Sequence, residues 1–489
     1  YPDYPNRNGD PKRIIIIISS CQFKSNIANN GNAIYVEKGA ETTLEISKCA
    51  FTDDNINEES NSLGYCIVSG CKSTIINDFS IKVLSQEKIT GGLNIIGKSS
   101  ISITKFNIDG PLDQAIKLDN SVNLQGPWII NINESSFVSD QVDCCTILLS
   151  DSTIDEVSNI SINYNQFSNT LLKLDISIQN PITIHDIIIY QSDANNEGTI
   201  LSLPASNTND ITMTNTVIER CSANTLFSFI SENIQFENCN FLSNQISSNG
   251  TISIKPNQKV IFNICTFENN APPESNGKLG GALYVEPSEM DQDETTITIK
   301  QCTFINNRAS DGSAIYSSNT HANFIIQENT RFTSNDNIYM IALKNSNLDM
   351  SDVIFRCSYP ITFYVDTIRD IEFRNVISES SSLLIIKNEN SYSIDRISFY
   401  NCICKGKNTN ENKYLIQSEN DEFSISNSHI EFLDITADKS CGGIEITKVG
   451  NHKIISTEFI KTIQRSIQYN QQTRKQGVNE MEISNCIFD

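Results

Sequence analysis

The segment Cys265–Val285, CTFENNAPPESNGKLGGALYV, contains the pattern from which the fold of this chain can be predicted. It opens with a Cys-x-Phe segment, turns at Asn269-Asn270, crosses a polar loop, and closes with Gly280-Gly281-Ala282 and an apolar segment. The same order recurs, since CTFINN at 302–307 leads to GSAIY at 312–316, and CQFKSN at 21–26 leads to GNAIYV at 31–36. Three occurrences with similar gaps predict a structural repeat.

One aromatic position allows the repeats to be counted. Its Phe, or an apolar substitute, recurs about every 28 residues, a spacing typical of solenoids, and this predicts about 17 coils. The positions are Phe23, Phe51, Phe79, Phe106, Phe137, Phe167, Ile189, Ile218, Phe241, Phe267, Phe304, Phe332, Phe355, Val376, Phe399, Phe432, Phe459 and Phe488. The residues that the motif assigns to the structural repeat are Cys21, Phe23, Asn26, Cys49, Phe51, Cys239, Phe241, Asn244, Cys265, Phe267, Asn270, Gly280, Gly281, Ala282, Cys302, Phe304 and Asn307.

Short segments with alternating apolar and polar residues lie between these positions, as in Thr251–Ile254 and Thr296–Ile299. Such alternation is typical of half-buried strands. Three short strands per repeat predict one triangular coil, and stacked coils pair parallel strands about 4.8 Å apart. Parallel connections are almost always right-handed. The chain is therefore predicted to be all-β: a right-handed, single-stranded parallel β-helix over 13–489, a rod of roughly 80 Å, after a linker or N-terminal cap at 1–12.

Stacking places each residue over its counterpart in the next coil. We expect Phe267 to lie between Phe241 and Phe304, and asparagines at the corner to bond to the main chain or to the next asparagine. The glycine pair permits a tight bend. The 15 cysteines lack the paired spacing of zinc sites. Cys239, Cys265 and Cys302 are predicted to form a mostly reduced interior stack, since cysteine packs as a small apolar residue.

Charge and hydropathy exclude several classes of partner. The net charge of −22 argues against nucleic acid and against anionic lipid, because both require a basic surface. No apolar run reaches the roughly 18–20 residues that span a bilayer, so no membrane span is predicted in this segment, and Ile14–Ile18 is interpreted as a buried strand. The chain ends within a repeat at Phe488, and we expect it to be a segment of a longer protein.

Departures from the period predict loops. The candidates are Ala271–Leu279, Pro287–Glu294, Ile403–Lys413 and Arg465–Asn479, all polar segments that interrupt the alternation. Loops that project from a rigid scaffold are the usual place for partner contacts. These four segments are therefore the first candidates for a binding surface.

The motif C-x-F-x-x-N followed by G-G-A-[IL]-Y resembles the repeat of the chlamydial polymorphic outer-membrane proteins. It is also similar to the repeat of large trichomonad surface proteins. Cys265–Asn270 and Gly280–Leu283 match the motif fully, and Cys302–Asn307 matches it with Ser313 in place of one glycine. The resemblance implies a cell-surface or secreted protein of adhesive type, and it implies no ligand site, because the motif residues build the coil.

Residue types that carry chemistry are few. The four histidines, His185, His321, His429 and His452, fall in different coils, although the last two are close enough in sequence to stack. The acidic segment Asp291–Glu294 could offer oxygen ligands to calcium but lacks the spacing of a calcium loop. Asp53, Asp54, Glu58 and Glu59 form a second acidic run, and sequons occur at Asn133, Asn159 and Asn249. Trp128 could be an exposed sugar platform, but a buried or half-buried turn aromatic is more common. We predict no catalytic residue, no cofactor and no metal site.

Two main hypotheses about function follow from the sequence. The first is a non-enzymatic rod at the cell surface or secreted, adhesive or structural, that contacts a protein or glycan partner through projecting loops. The second is a carbohydrate-active β-helix enzyme, a lyase or a glycosidase, which would need carboxylates converging with basic residues on one face. A third possibility is a component of an intracellular filament, which the odd number of cysteines leaves open. The first hypothesis is favoured because no such cluster is visible in the sequence.

Overall fold

A computed structural model gives the fold of this chain. It describes residues 14–24, 33–53, 63–83, 89–97, 99–109, 112–119, 128–138, 145–150, 156–163, 165–167, 169–175, 181–194, 198–203, 210–229, 231–256, 258–271, 278–288, 294–319, 321–334, 339–343, 346–357, 359–363, 367–379, 382–386, 392–404, 414–418, 422–432, 442–447, 451–460, 466–469 and 481–488. Within these ranges the backbone forms strands, turns and bends, and no helix. The chain divides into two compact units, which are 1–232 with 244–247, and 233–243 with 248–489.

The first unit consists of strands of two to 21 residues. They are Ile14–Ser19, Gln22–Lys24, Ile34–Asp53, Leu63–Val83, Ile89–Ile96, Ser100–Asp109, Leu112–Asp119, Ile129–Asn133, Ser136–Val138, Cys145–Ser150, Glu156–Asn163, Gln166–Phe167, Thr170–Asp175, Ile182–Tyr190, Thr199–Leu203, Ile211–Thr214, Val217–Glu219, Ser222–Ala223, Thr225–Phe229 and Gln245–Ile246.

The second unit is built in the same way. Its strands are Asn233–Glu237, Asn240–Leu242, Ile252–Ile254, Lys259–Asn263, Thr266–Glu268, Leu283–Val285, Thr295–Lys300, Thr303–Ile305, Ile315–Ser317, Ala322–Gln327, Arg331–Thr333, Ile341–Leu343, Asn347–Ser351, Ile354–Arg356, Ile361–Phe363, Thr367–Arg374, Ile377–Ser378, Ser382–Ile386, Tyr392–Cys404, Tyr414–Ser418, Glu422–Ser426, His429–Phe432, Gly442–Ile446, Asn451–Ile455, Glu458–Ile460, Ile467–Tyr469, Met481–Ser484 and Ile487–Phe488.

Each complete turn contributes one strand to each of three faces. In the second unit, Lys259–Asn263 pairs in parallel with Thr295–Lys300, and Thr266–Glu268 pairs with Thr303–Ile305. The third strand of that turn, Leu283–Val285, belongs to a nine-stranded parallel sheet. Parallel strands that recur once per turn confirm the predicted fold class, a parallel β-helix. Its right-handedness and the length of the rod remain predictions.

Alternation along each strand explains why the sequence adopts this fold. In Thr295–Lys300 the side chains are buried and half-buried in turn, and Ile297 and Ile299 are fully buried. Successive residues of a strand point to opposite faces, so every second residue fills the interior. The interior is a narrow column mainly of Phe, Ile, Leu and Cys, joined by buried Asn, Ser and Thr side chains.

A bend in left-handed backbone separates the first two strands of a turn. In three successive turns of the second unit the bend residues are Asn238, Ile264 and Gln301, with φ between 50 and 55°. The next residue points inward, as Cys265 and Cys302 do, and both are fully buried. A bend of this kind removes the regular strand partner of the next backbone N–H, and a buried N–H without a partner is costly. The side chain of the following turn accepts this hydrogen bond, as the Sγ of Cys302 does from the N–H of Cys265 at 3.4 Å.

Ile264 is the least suitable residue at this bend. It is β-branched, has φ of 55°, and is 47% exposed, whereas asparagine occupies the same bend position at Asn238. Left-handed backbone costs an L-residue about 1–2 kcal/mol, and less for asparagine. We expect Ile264→Asn to raise the free energy of unfolding by about 1 kcal/mol, measured by urea denaturation. A decrease in stability would show that Ile264 makes a packing contribution that its exposure does not suggest.

Phenylalanine rings stack from turn to turn in the second unit, as predicted. The ring of Phe267 lies 5.0 Å from Phe241 and 5.0 Å from Phe304, and is parallel to the latter within 2°. Phe332 and Phe355 continue the stack at 4.8 and 4.9 Å. The predicted environment of Phe267 is therefore confirmed.

The single phenylalanine position predicted for the whole chain is wrong in the first unit. Phe51 pairs with Ile81, and Phe79 pairs with Cys49. Phe106 continues the line of Phe79, while Ile108 pairs with Phe137. The Phe residues used for the count therefore occupy two different inward positions of the turn. Ile and Phe fit either position, so the residue type does not distinguish them.

The same error occurs late in the second unit. Phe355 pairs with Ser378, so the predicted substitute at Val376 is two residues off. Phe399 stacks on Phe373 at 4.9 Å and pairs with Ile430, whereas Phe432 pairs with Cys402. The prediction of about 17 coils assumed that one Phe position recurs through the whole chain. The structure has two inward positions that Phe occupies, so the predicted number of coils is wrong as well.

Two smaller predictions are also corrected. Ile14–Ser19 is a strand, but Ile14 and Ile17 are 51% and 67% exposed, since Ile17 aligns with the outward-facing Glu45. Part of the predicted loop at 465–479 is the strand Ile467–Tyr469, which pairs with Ile444–Ile446. Asn26 and most of the other predicted loop residues, at 272–277, 289–293 and 405–413, lie outside the described residues.

Candidate functional site

The motif residues of the second unit that the sequence singled out all lie in its interior. Cys239, Phe241, Cys265, Phe267, Asn270, Ala282, Cys302, Phe304 and Asn307 are at most 1% exposed. In the first unit, Cys49, Phe51 and Asn244 are buried, and Cys21 and Phe23 are half-buried. These residues hold the coil together and present no chemistry to solvent.

Asn270 and Asn307 form a cluster of buried hydrogen bonds in this interior. The Nδ2 of Asn307 donates to the carbonyl of Phe267 at 2.8 Å, and its Oδ1 accepts from the N–H of Asn270 at 3.1 Å and from the Nδ2 of Asn270 at 3.0 Å. Asn270 in turn donates to the carbonyl of Phe241 at 2.8 Å. In the first unit, Asn244 bonds likewise to the N–H of Cys221 and to the carbonyl of Ile218. Asparagine suits this position because one side chain supplies both a donor and an acceptor.

The glycine pair serves close backbone approach. Gly280 has φ of +67°, and a Cβ there would lie 2.3 Å from the carbonyl oxygen of Leu283. A Cβ on Gly281 would lie 2.3 Å from the carbonyl oxygen of Ser313 in the next turn. Only glycine meets both conditions without displacing the neighbouring turn.

Buried thiols occupy the inward position directly after the bend in three successive turns, at Cys239, Cys265 and Cys302. The Sγ of Cys302 donates to the carbonyl of Lys300 at 3.1 Å and lies 3.5 Å from that of Phe262. Thr330 takes the same place in the following turn and bonds through its Oγ1 to the N–H of Cys302. The cysteine is therefore a hydrogen-bonding residue as well as an apolar one. In the first unit, burial raises the pKa of Cys221 to about 12, which leaves its thiol protonated and poorly nucleophilic.

A substitution series at Cys302 separates hydrogen bonding from size. We expect Cys302→Ser to change the free energy of unfolding by less than about 1 kcal/mol, because serine accepts and donates at the same place. Cys302→Val leaves the N–H of Cys265 and two carbonyls without this partner, and should cost about 1–3 kcal/mol. Urea denaturation measures both values. Equal stability of the valine variant and the parent would mean that the thiol acts only as a small apolar group.

The four histidines do not assemble into a site. His452 is 1% exposed and lies with its ring 5.8 Å from that of Tyr469, whereas His429 faces outward and its Nδ1 lies 3.0 Å from Glu458. The two rings therefore do not stack. His185 contacts its neighbour Asp186 at 2.7 Å. Among the described residues, no group of three or more His, Cys, Asp and Glu side chains could hold a metal ion.

Three other candidates from the sequence change status. Trp128 is 2% exposed, so it is the buried aromatic that the sequence favoured and not an exposed sugar platform. Of the sequon asparagines, only Asn159 is exposed, while Asn249 accepts a hydrogen bond from the N–H of Leu279 at 3.0 Å. The acidic segment at 291–293 and the run at 54–59 lie outside the described residues.

The sequence did not reveal an outward strip that crosses neighbouring turns of the second unit. We call it the charged strip: Asp349, Glu372, Arg374, Tyr400, His429 and Glu458. The guanidinium of Arg374 bonds to Glu372 and lies 4.4 Å above the Tyr400 ring. The His429 ring follows at 4.9 Å and bonds to Glu458. Register pairing brings these residues together from separate turns, which is why no sequence motif marks them.

Asp349 is the member of the charged strip whose ionised form is disfavoured by its surroundings. Partial burial raises its pKa, as does the neighbouring carboxylate Glu372, which lies opposite it in register, while Arg374 acts in the other direction. A folded-state pKa above the unfolded value means that ionisation of Asp349 disfavours folding. This penalty is absent below the ordinary pKa near 3.9 and is complete once the pH has risen through the folded pKa.

We expect Asp349→Asn to stabilise the protein at pH 7 by less than about 1 kcal/mol, since the side chain is exposed enough for solvent to screen the repulsion. The advantage should shrink as the pH falls toward about 4 and the parent carboxyl becomes protonated. Thermal denaturation of parent and variant at several pH values measures the difference. A difference independent of pH would assign the effect to packing or solvation of the amide.

The chemistry available to the charged strip is limited by its own contacts. A glycosidase needs one free carboxylic acid and one free carboxylate on either side of a sugar. Here Glu372 is held by Arg374, Glu458 by His429, and the Tyr400 ring carries Arg374 above it. The strip is therefore better suited to stabilising adjacent turns and to ionic contacts than to bond cleavage.

No protein-family profile matches this chain, and no curated protein matches it either. The resemblance to polymorphic outer-membrane proteins thus stays a prediction from the Cys265–Val285 motif. In the described part of the chain, no helix has the length and apolar character needed to cross a membrane.

Proposed function

We propose that the protein is a non-enzymatic β-helix, adhesive or structural, that acts at a cell surface or after secretion and contacts a protein or glycan partner with its outer faces and projecting segments. The observation that carries this proposal is that the inward and outward residues of each turn have separate roles. The motif residues are buried in the interior, and the outward side chains stand in register from turn to turn. A repeated outer surface on a stiff scaffold offers an extended partner many similar contacts.

Electrostatics supports a partner that is not polyanionic. The chain carries 36 basic and 58 acidic residues, and several of its outer cations are paired, as Lys300 is with Glu328 at 3.0 Å and Arg356 is with Glu379 at 3.3 Å. Binding to nucleic acid or to sulfated glycans would require unpaired clusters of Lys and Arg.

The test is to present the folded protein to arrays of polysaccharides and extracellular-matrix proteins and to measure both retention and released products. The proposal predicts retention of at least one partner without release of new sugar ends. Cleavage of any polysaccharide at a rate above that of a heat-denatured sample would contradict the non-enzymatic part. Absence of retention on every array would contradict the adhesive part.

A second candidate, a carbohydrate-active enzyme, is favoured by one observation only. Asp349 and Glu372 are carboxylates in adjacent turns, and the raised pKa of Asp349 suits a general acid. If cleavage is found, Asp349→Asn and Glu372→Gln should each reduce it at least about 100-fold. The matched control is Asp352→Asn, an exposed carboxylate that bonds to Asn375, and it should leave the rate unchanged.

A further inference from the structure

The first unit carries an outer face on which side chains without net charge stand in register. One row runs Ser47, Asn77, Thr104, Asn133 and Asn163, and a second runs Ser102, Asn131 and Ser161. A third row, on the next strand of the turn, runs Ala50, Ser80, Asn107, Ser136 and Gln166. We call these three rows the neutral face.

The charged residues that border the neutral face alternate in sign, so that their charges largely cancel. The bend residues between its first and third rows are Lys48, Asp78, Lys105 and Glu134, which alternate in sign. The Nζ of Lys105 lies 3.9 Å from the Oε2 of Glu134. The second row is bounded by Ile75 and, one turn further, by Glu45. The face thus has hydrogen-bonding capacity with almost no net charge, in a chain whose formal charge is −22.

The corresponding rows of the second unit are different. The equivalent row, on the strand that precedes the second bend of each turn, runs Leu242, Glu268 and Ile305. The neutral face is confined to these turns of the first unit, because its first row continues after Asn163 in Tyr190 and Glu219, and its second row continues after Ser161 in Ile188. It therefore does not follow from the fold alone. Asn77, Ser102, Asn131 and Asn107 are all exposed.

We propose that the neutral face binds an extended, uncharged polysaccharide lying across successive turns. Hydroxyl and amide groups both donate and accept hydrogen bonds, as sugar hydroxyls do, and parallel strands repeat them about every 4.8 Å. Each such bond adds only about 1 kcal/mol, so affinity comes from repetition along a polymer.

Composition distinguishes this partner from the others. The three rows contain no Lys or Arg, which a polyanion would require. They contain no aromatic residue or Met, the residues that enrich the cores of protein interfaces. The inference rests on the proposed binding function and names the partner class and the surface that meets it.

The test compares two triple variants on arrays of neutral and anionic polysaccharides. Asn77→Ala, Asn107→Ala and Asn131→Ala together remove amides from the neutral face. Gln235→Ala, Thr298→Ala and Asn323→Ala remove outward polar groups from the second unit and serve as the matched control. Circular dichroism and size-exclusion chromatography establish that both variants are folded.

Retention of a neutral polysaccharide by the parent, reduced at least about tenfold in the first variant and unchanged in the control, supports the inference. Equal losses in both variants overturn it, as does salt-sensitive retention on heparin or polyuronate alone. Retention of a protein partner but of no neutral polysaccharide also overturns it, and leaves the proposed adhesive function standing.

Discussion

Phe267→Ala is expected to destabilise the middle of the second unit by about 3–5 kcal/mol. The Phe267 ring is fully buried and lies against Phe241, Phe262 and Phe304 at 5.0 to 5.6 Å. Removal of the ring leaves a cavity that neighbouring turns fill only in part, because their positions are fixed by strand pairing on both sides. Since each turn of a solenoid contacts only its neighbours, the loss should be local.

Limited proteolysis and hydrogen exchange measure this effect. New cleavage sites and faster exchange are expected within the turns that contain Phe241, Phe267 and Phe304, with little change around Phe399 or Phe459. Phe267→Leu is the matched control and should lose less, because most of the volume remains. Uniform acceleration of exchange over the whole unit, or no change at all, would contradict the local stack.

Asn307→Ala should be about as damaging, although it removes far less apolar surface. Its side chain satisfies the carbonyl of Phe267 and both the N–H and the Nδ2 of Asn270, and all three residues are fully buried. Each buried polar group left without its partner costs about 1–3 kcal/mol. The expected loss is about 3–5 kcal/mol, if one of the three groups finds a substitute.

The control for this substitution is Asn323→Ala, an asparagine on an outward position of a strand in the same unit. It should change the free energy of unfolding by less than about 0.5 kcal/mol. Urea denaturation followed by circular dichroism compares the two. Equal effects at Asn307 and Asn323 would show that the interior asparagines contribute no more than ordinary surface residues.

The sequence predicted the fold well wherever one turn repeats the next. Cys265, Phe267 and Asn270 have counterparts at Cys302, Phe304 and Asn307, and the structure places each directly beside its counterpart. In those turns the period, the bend and the inward residues all point to the same register. Local consistency of this kind is what makes a register readable.

The register was misassigned where two inward positions accept the same residues. Phe79 and Phe51 both read as the repeat aromatic, yet Phe79 lies beside Cys49. The bend that distinguishes the two positions is marked by one residue in left-handed backbone, and this residue is Lys48, Asp78 or Lys105 in the first unit. Only Asn and Gly signal such a bend in a sequence, so bends made by other residues are invisible.

The outer surface was the least predictable part. The charged strip joins Arg374 and Tyr400 from separate turns, and no motif in the sequence brings these two residues together. Whether a side chain faces outward follows from alternation, but which outward side chains are neighbours depends on the register between turns. An error of two residues in register is enough to separate every such pair.

The distance between positions 47 and 163 tests the stacking of the first unit most directly. Ser47 and Asn163 lie four turns apart in one outer row, and parallel strands at about 4.8 Å place them about 19 Å apart. Spin labels attached through an unnatural amino acid avoid the native thiols, and pulsed electron paramagnetic resonance measures their separation. The account predicts one narrow distribution centred within a few ångström of that value. A broad distribution, or a mean distance beyond about 35 Å, would contradict the registered parallel stack.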